Sequence, residues 1–105
     1  MNELSWTVER ESRRVVVAPA GVLAITTSGE FEGVLLAAAA DGDVVLDLSG
    51  LTFVDSSGLS VFVAAYKAGL KHGHTVVLDL VPPFLTRVLK VTGLGTLLLA
   101  PHRVR

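Results

Sequence analysis

A strand–helix–strand pattern in the middle of the chain constrains the fold more than any other feature of the sequence. Residues 44–48 form a short, nearly continuous apolar run rich in β-branched residues, which is typical of a central strand covered on both faces. Apolar residues then recur at helical spacing from Leu59 to Leu70, and a second apolar run follows at 75–80. Two such strands separated by one helix within about 35 residues predict a parallel crossover unit.

The segments before this unit predict two more strands and a helix. Trp6 and Val8 alternate with polar neighbours, and residues 15–18 are apolar after a charged break, which indicates an opening hairpin. Pro19 and Gly21 are expected to end its second strand. Polar residues at 26–28 offer caps for a first helix, predicted over 29–40.

The segments after this unit predict a short helix and a last strand. Pro82 and Pro83 favour a helix start, and Gly93 and Gly95 favour its end. The leucines at 97–99 are interpreted as a last short strand, followed by a tail at 101–105. We therefore expect one α/β domain spanning residues 1–105, with helices packed on a sheet.

Composition excludes several classes of protein. Half of the 105 residues are hydrophobic and 18% are charged, so the chain is expected to fold. It contains no cysteine, which rules out disulfides, thiol catalysis and cysteine-ligated metals. The longest uncharged stretch, 15–29, is too short to span a bilayer, and the charged N-terminus does not resemble a signal peptide. We expect a cytoplasmic protein without membrane insertion.

The charges are distributed unevenly along the chain. Residues 1–60 carry a net charge of −6 and residues 61–105 carry +5. Ordinary solvated faces and a partner surface of mixed charge both explain this asymmetry. The basic residues are spread singly and without aromatic neighbours, so we expect no binding to nucleic acid.

The sequence offers no evident catalytic constellation. His72 and His74 lie in a predicted turn and His102 in the tail, and no carboxylate cluster accompanies them. A dinucleotide-binding fingerprint has three glycines and follows a strand. The segment with Gly93 and Gly95 has no third glycine and follows a predicted helix. We therefore predict no enzyme activity, no cofactor and no metal site.

The segment Asp55-Ser56-Ser57-Gly58-Leu59 lies between a predicted strand region and a predicted helix. Unpaired amides and the helix dipole favour negative charge at such a position. Asp or Ser there can cap the helix, yet a cap needs only one of these residues. A second hydroxyl facing solvent is a candidate phosphorylation site, and both interpretations remain open at this point.

The sequence resembles the STAS domain, specifically the bacterial anti-sigma factor antagonists. The resemblance lies in residues 44–59, in the helix from Leu59 to Lys71 and in the strand that follows. A proline-led short helix and a Thr92-Gly93-Leu94 turn continue the family order. The resemblance implies a mixed β-sheet of four to five strands with α-helices packed on it. It also implies a role in transcription regulation by partner switching, as in stress responses.

The resemblance assigns roles to the residues of the 55–59 segment. It implies that Ser56, with Ser57 as second choice, is phosphorylated by a serine kinase that is itself the anti-sigma factor, and that a serine phosphatase resets it. Asp55 would shape the acceptor site, Ser57 would cap the helix and Gly58 would keep the approach clear. Together with Leu59 these residues would contact the partner.

Two features depart from the family pattern. A Gly-Glu-aliphatic-Asp motif usually follows the second strand, whereas this chain has Val22 and Ala24 in place of the acids. The usual C-terminal helix is not evident, so exposed Leu97 or Leu99 could favour a homodimer. The missing acids support an alternative, a non-phosphorylated STAS subunit of a lipid-transport ABC complex. A small-ligand binder at the start of the second helix is a third hypothesis.

Overall fold

A computed structural model describes residues 3–99 of the chain, so the predicted tail at 101–105, including His102, lies outside the described residues. This part of the chain forms five strands and four helices. The strands are β1 (Leu4–Arg10), β2 (Arg14–Leu23), β3 (Asp43–Asp47), β4 (Gly50–Val54) and β5 (Val76–Asp79). The helices are α1 (Ser28–Asp41), α2 (Ser56–Lys71), α3 (Pro83–Thr92) and α4 (Gly95–Leu98).

The strands form one mixed sheet. β1 pairs antiparallel with β2, and the order continues through β3 to β5 with parallel pairing. β4 pairs in parallel with the C-terminal part of β2, beyond the part that pairs with β3. The parallel pairing of β3 with β5 confirms the predicted crossover through α2, and the five-stranded mixed sheet confirms the predicted architecture.

The core lies between the sheet and the helices. Val44 and Leu46 alternate with less buried residues along β3, and the buried side chains of α1 and α2 pack with them. Trp6 of β1 packs at a tilt against Phe31 of α1, with ring centroids 5.3 Å apart. Within residues 3–99, no helix combines the length and the hydropathy that crossing a bilayer requires.

Strand β2 is longer than the sequence predicts. Pro19 and Gly21 do not end it, because the strand continues to Leu23. Gly21 has a φ of +105°, and a Cβ there would lie 2.3 Å from the carbonyl oxygen of Glu3. The amide of Val22 donates to that same oxygen at 2.9 Å, so β1 and β2 stay paired beyond the glycine. Gly21 therefore permits a local irregularity within the strand, where the pairing with β4 shifts its register.

The predicted last strand at 97–99 is wrong. The chain instead forms the one-turn helix α4, which buries Leu98 in the core, and Leu99 alone makes an isolated parallel bridge with Leu78. Gly93 adopts a φ of +78° and directs the chain from α3 into this turn. Three consecutive leucines carry no periodicity that separates a strand from a buried helical turn.

Candidate functional site at the start of helix α2

The segment 55–59 joins the end of β4 to the first turn of α2. β2 and β4 are parallel, so the loop that follows β2 lies beside this junction. The amide of Asp55 donates to the carbonyl of Leu23 at 3.2 Å, which fixes the junction against the end of β2. The site is therefore built from two segments that are about 30 residues apart in sequence.

Asp55 is the N-cap of α2. Its Oδ1 accepts hydrogen bonds from the amides of Ser57 at 2.8 Å and Gly58 at 3.2 Å. The expectation that Ser57 caps the helix is therefore wrong, because the carboxylate one residue before the helix already accepts from these amides. As a result, α2 begins at Ser56, three residues before the predicted start at Leu59.

The same carboxylate also holds the loop between β2 and α1. Its Oδ2 accepts from the amide of Ile25 at 3.1 Å. Within this loop, the hydroxyl of Thr27 donates to the carbonyl of Val22 at 2.8 Å and accepts from the amide of Ala24 at 2.9 Å. These bonds give the loop a defined conformation, although the side chain of Ile25 is 76% exposed.

Ser56 is the first residue of α2 and is exposed. Its carbonyl accepts from the hydroxyl of Ser60 at 3.0 Å, one turn further along the helix. The Ser56 hydroxyl has no hydrogen-bond partner among residues 3–99. The Ser56 hydroxyl therefore does not cap the helix, and the residue faces solvent.

The other three residues of the segment are less accessible than Ser56. Ser57 and Leu59 are partly buried, and Leu59 packs against the core. Gly58 is buried, and a Cβ there would lie 2.7 Å from Cγ1 of Val54 and 2.9 Å from Cγ of Leu23. The absence of a side chain at Gly58 thus lets the first turn of α2 pack closely on the sheet, a structural role besides the clear partner approach that the resemblance implies.

The two positions where the resemblance leads us to expect acids, Val22 and Ala24, lie in the segment that adjoins Asp55. Val22 is the second-last residue of β2 and Ala24 directly follows that strand. Both residues are partly buried. The amide of Ala24 is held by Thr27, and the next residue along the chain is bonded to Asp55. The loop beside Ser56 therefore has a backbone held by hydrogen bonds and carries no carboxylate at positions 22 and 24.

Two open grooves flank the site. One, of about 790 Å³, separates β1 from the loop after β2 and includes Ile25 and Glu30 in its lining. The other, of about 350 Å³, runs along α2 past Ser60 and Lys67 to Leu94. Such shallow, open grooves suit contact with another protein better than enclosure of a small substrate.

His72 and His74 have structural contacts at the other end of α2. His72 is the C-cap of α2, and its ring stacks on that of His74 with centroids 6.5 Å apart. Nδ1 of His74 lies 2.7 Å from the carbonyl oxygen of Ala39. Among the residues that the structure describes, no group of three or more His, Cys, Asp or Glu side chains is arranged to hold a metal ion.

The chain matches known proteins over nearly its whole length. A family model described as "Mlab, STAS domain" matches residues 6–100. The crystal structure of an anti-sigma factor antagonist from Mycobacterium paratuberculosis is 30% identical and superposes with a TM-score of 0.79, covering 96% of this chain and 88% of that one.

Two structures of SpoIIAA share the fold at lower identity. The anti-sigma factor antagonist in its unphosphorylated form is 16% identical with a TM-score of 0.72, covering 94% of this chain and 90% of that one. The phosphorylated form of this Bacillus protein is 20% identical with a TM-score of 0.70, covering 94% and 93%. The match over residues 6–100 and the 30% identical relative establish that this chain belongs to the STAS domain family.

Proposed function

We propose that this protein is an anti-sigma factor antagonist that is switched off by phosphorylation of Ser56. The observation that carries the proposal is the exposed Ser56 hydroxyl, which has no partner in the described chain and stands at the first position of a helix capped by its neighbour Asp55. The 30% identical relative from Mycobacterium paratuberculosis is named as an anti-sigma factor antagonist, which supports the same role here.

In the unmodified form, the surface around Ser56 binds an anti-sigma factor, which thereby releases its sigma factor. The anti-sigma factor is also the serine kinase, and it supplies the catalytic groups for transferring a phosphoryl group to the Ser56 oxygen. The antagonist is then a substrate and not an enzyme. A serine phosphatase removes the group and restores binding.

The electrostatics of the helix start explain why phosphorylation would weaken the complex. A phosphoserine carries about −1.5 to −2 charges at neutral pH. The amides of Ser57 and Gly58 already donate to Asp55, so they are not available to the new phosphate. The phosphate would lie beside the Asp55 carboxylate and face solvent, and a docked partner would have to desolvate both charges.

Exposure favours Ser56 over Ser57 as the modified residue. Ser56 is exposed, whereas Ser57 is partly buried. A kinase has to place the acceptor oxygen in line with the phosphoryl donor, which requires access to the hydroxyl from outside. Mass spectrometry of the protein from its native host should place the phosphoryl group on Ser56, and a phosphoryl group on Ser57 would contradict this assignment.

Partner retention by Ser56 variants tests the proposed switch. Tagged wild type, Ser56→Ala and Ser56→Asp are expressed in the native host, and the retained proteins are identified by mass spectrometry. The alanine variant should retain a small kinase-like protein, and the aspartate variant should bind it some tens-fold more weakly, which corresponds to about 2 kcal/mol. Equal affinity of the two variants for the purified kinase would reject the proposal.

Two controls separate a change at the interface from a change in folding. Ser60→Asp places the same charge on an exposed serine one turn further along α2, and it should weaken the partner less than Ser56→Asp. Ser56→Asp should also leave the melting temperature unchanged or slightly higher, because a carboxylate in the first turn interacts favourably with the helix dipole. A large drop in the melting temperature of Ser56→Asp would mean that its loss of binding results from unfolding.

A second candidate is a constitutive STAS subunit of a lipid-transport ABC complex. The uncharged Val22 and Ala24 favour it, because such a subunit needs no kinase contact through this loop. In that case a transporter ATPase would be retained equally by wild type, Ser56→Ala and Ser56→Asp. The same experiment therefore discriminates between the two candidates.

A further inference from the structure

Helix α3 presents an apolar stripe to solvent. Phe84, Val88 and Val91 follow one another at helical spacing and are all exposed, Val91 by 82%. Leu80 precedes the helix and Leu97 follows it, and both are also exposed. Five of the nine exposed large apolar side chains of the described residues therefore fall within 80–97.

The charges on this helix have one sign. Arg87 and Lys90 are exposed, and neither has a salt bridge or a hydrogen bond among the residues that the structure describes. Both line a shallow cleft of about 490 Å³ beside α3. The sequence contains no Asp or Glu after Asp79, and it adds Arg103 and Arg105 beyond the described residues.

The helix is firmly held by its other face. Leu85 and Leu89 are fully buried in the core, and Gly93 ends the helix in the left-handed conformation. The side chains of the outward stripe are therefore displayed by a fixed element. The surface formed by Phe84, Arg87, Val88, Lys90 and Val91 is called the α3 face below.

We propose that the α3 face adsorbs to an anionic lipid surface, as a peripheral contact in the plane of the membrane. A helix with apolar side chains on one face and Arg and Lys at its flank is the arrangement that buries apolar groups at the headgroup boundary. The side chains of Arg87 and Lys90 are unpaired among the described residues and complement the negative phosphate and carboxylate groups of anionic lipid headgroups. The sequence after Asp79 contains no acidic residue that would repel such headgroups. Val91 protrudes from the protein surface, so it can insert between lipid headgroups, which need no preformed pocket.

Vesicle binding by the full chain tests this proposal. Wild type is sedimented with vesicles of phosphatidylcholine alone and of phosphatidylcholine with phosphatidylserine, and binding should require phosphatidylserine and fall with added salt. Each Lys or Arg near an anionic surface contributes about 1 kcal/mol, so Arg87→Gln with Lys90→Gln should weaken binding about 30-fold. Val91→Ser should weaken it as well.

The matched control lies on α2. Leu70 is 60% exposed and Lys71 beside it is exposed, so Leu70→Ser with Lys71→Gln removes one apolar and one charged side chain outside the α3 face. This double variant should bind vesicles like wild type. All variants should keep the wild-type melting temperature, because none of the replaced side chains is buried.

A site-specific label distinguishes the α3 face from any other contact. The chain has no cysteine, so Val91→Cys and Leu70→Cys can each carry one environment-sensitive fluorophore. The label at position 91 should shift to the blue on anionic vesicles, and the label at position 70 should not. Absence of binding to phosphatidylserine vesicles, or equal shifts at both positions, overturns the proposal. If the protein does not bind phosphatidylserine vesicles, the α3 face would instead fit an acidic surface of another protein.

Discussion

Replacing Asp55 tests the structural basis of the site most directly. One carboxylate accepts three hydrogen bonds, from the amides of Ser57 and Gly58 in α2 and from Ile25 in the loop after β2. Loss of an N-cap costs about 1 kcal/mol, and loss of one further hydrogen bond costs about 1 kcal/mol. Asp55→Ala should therefore lower the free energy of unfolding by about 2 kcal/mol and the melting temperature by about 8 °C.

Asp55→Asn separates the two contributions. The asparagine oxygen can still accept from the α2 amides, but its amide group cannot accept from the amide of Ile25. We expect this variant to lose about 1 kcal/mol, half of the loss in Asp55→Ala. Urea unfolding gives both values, and the slope of the transition should not change, since neither variant alters the buried surface.

Amide hydrogen exchange localises the effect. Ile25 should lose protection in both variants, whereas Ser57 and Gly58 should lose it only in Asp55→Ala. Equal destabilisation by alanine and asparagine would show that the cap contributes nothing. A loss well below 1 kcal/mol in Asp55→Ala would refute the assignment of both contacts.

Two further predictions concern packing and the loop after β2. Gly58→Ala should cost about 1–3 kcal/mol in urea unfolding, because its Cβ would press against Leu23, whereas Gly33→Ala, with open space at an α1 position, should stabilise by up to about 1 kcal/mol. The opposite ranking would contradict the close approach of α2 to the sheet. Thr27→Val should cost about 1–2 kcal/mol, since it removes the hydroxyl that holds Ala24. Its effect should be non-additive with Asp55→Asn in a double-mutant cycle, and strict additivity would show that the two side chains hold the loop independently.

The sequence predicts the central part of the fold because its signals there are local. The β-branched run at 44–48, the helical spacing after Leu59 and the run at 75–80 each specify their own conformation, and their order leaves a right-handed crossover as the favoured connection. The sequence predicts the start of α2 less accurately. Asp55, Ser56 and Ser57 are all acceptable caps by composition, and only the backbone geometry decides that Asp55 takes the position.

Other features depend on distant contacts and could not be predicted from local sequence. The bond from Ile25 to Asp55 joins residues 30 positions apart, and no pattern near either residue indicates it. Gly21 resembles a strand end in sequence, yet β2 continues through it, and the carbonyl of Glu3, the residue directly before β1, occupies the place that a side chain at Gly21 would take. The burial of Gly58 likewise depends on the sheet beneath α2.

Asp55 and Ser56 have separate roles at the start of α2, so the proposed phosphorylation of Ser56 would leave the fold intact. If the serine itself capped α2, phosphorylation would alter the very group that satisfies the first-turn amides, and the modification would act on stability as well as on binding. In this chain Asp55 holds the amides of Ser57 and Gly58, and its other oxygen holds the neighbouring loop. The Ser56 hydroxyl makes none of these bonds, so a charge added there changes the surface that a partner meets and leaves the framework beneath it intact.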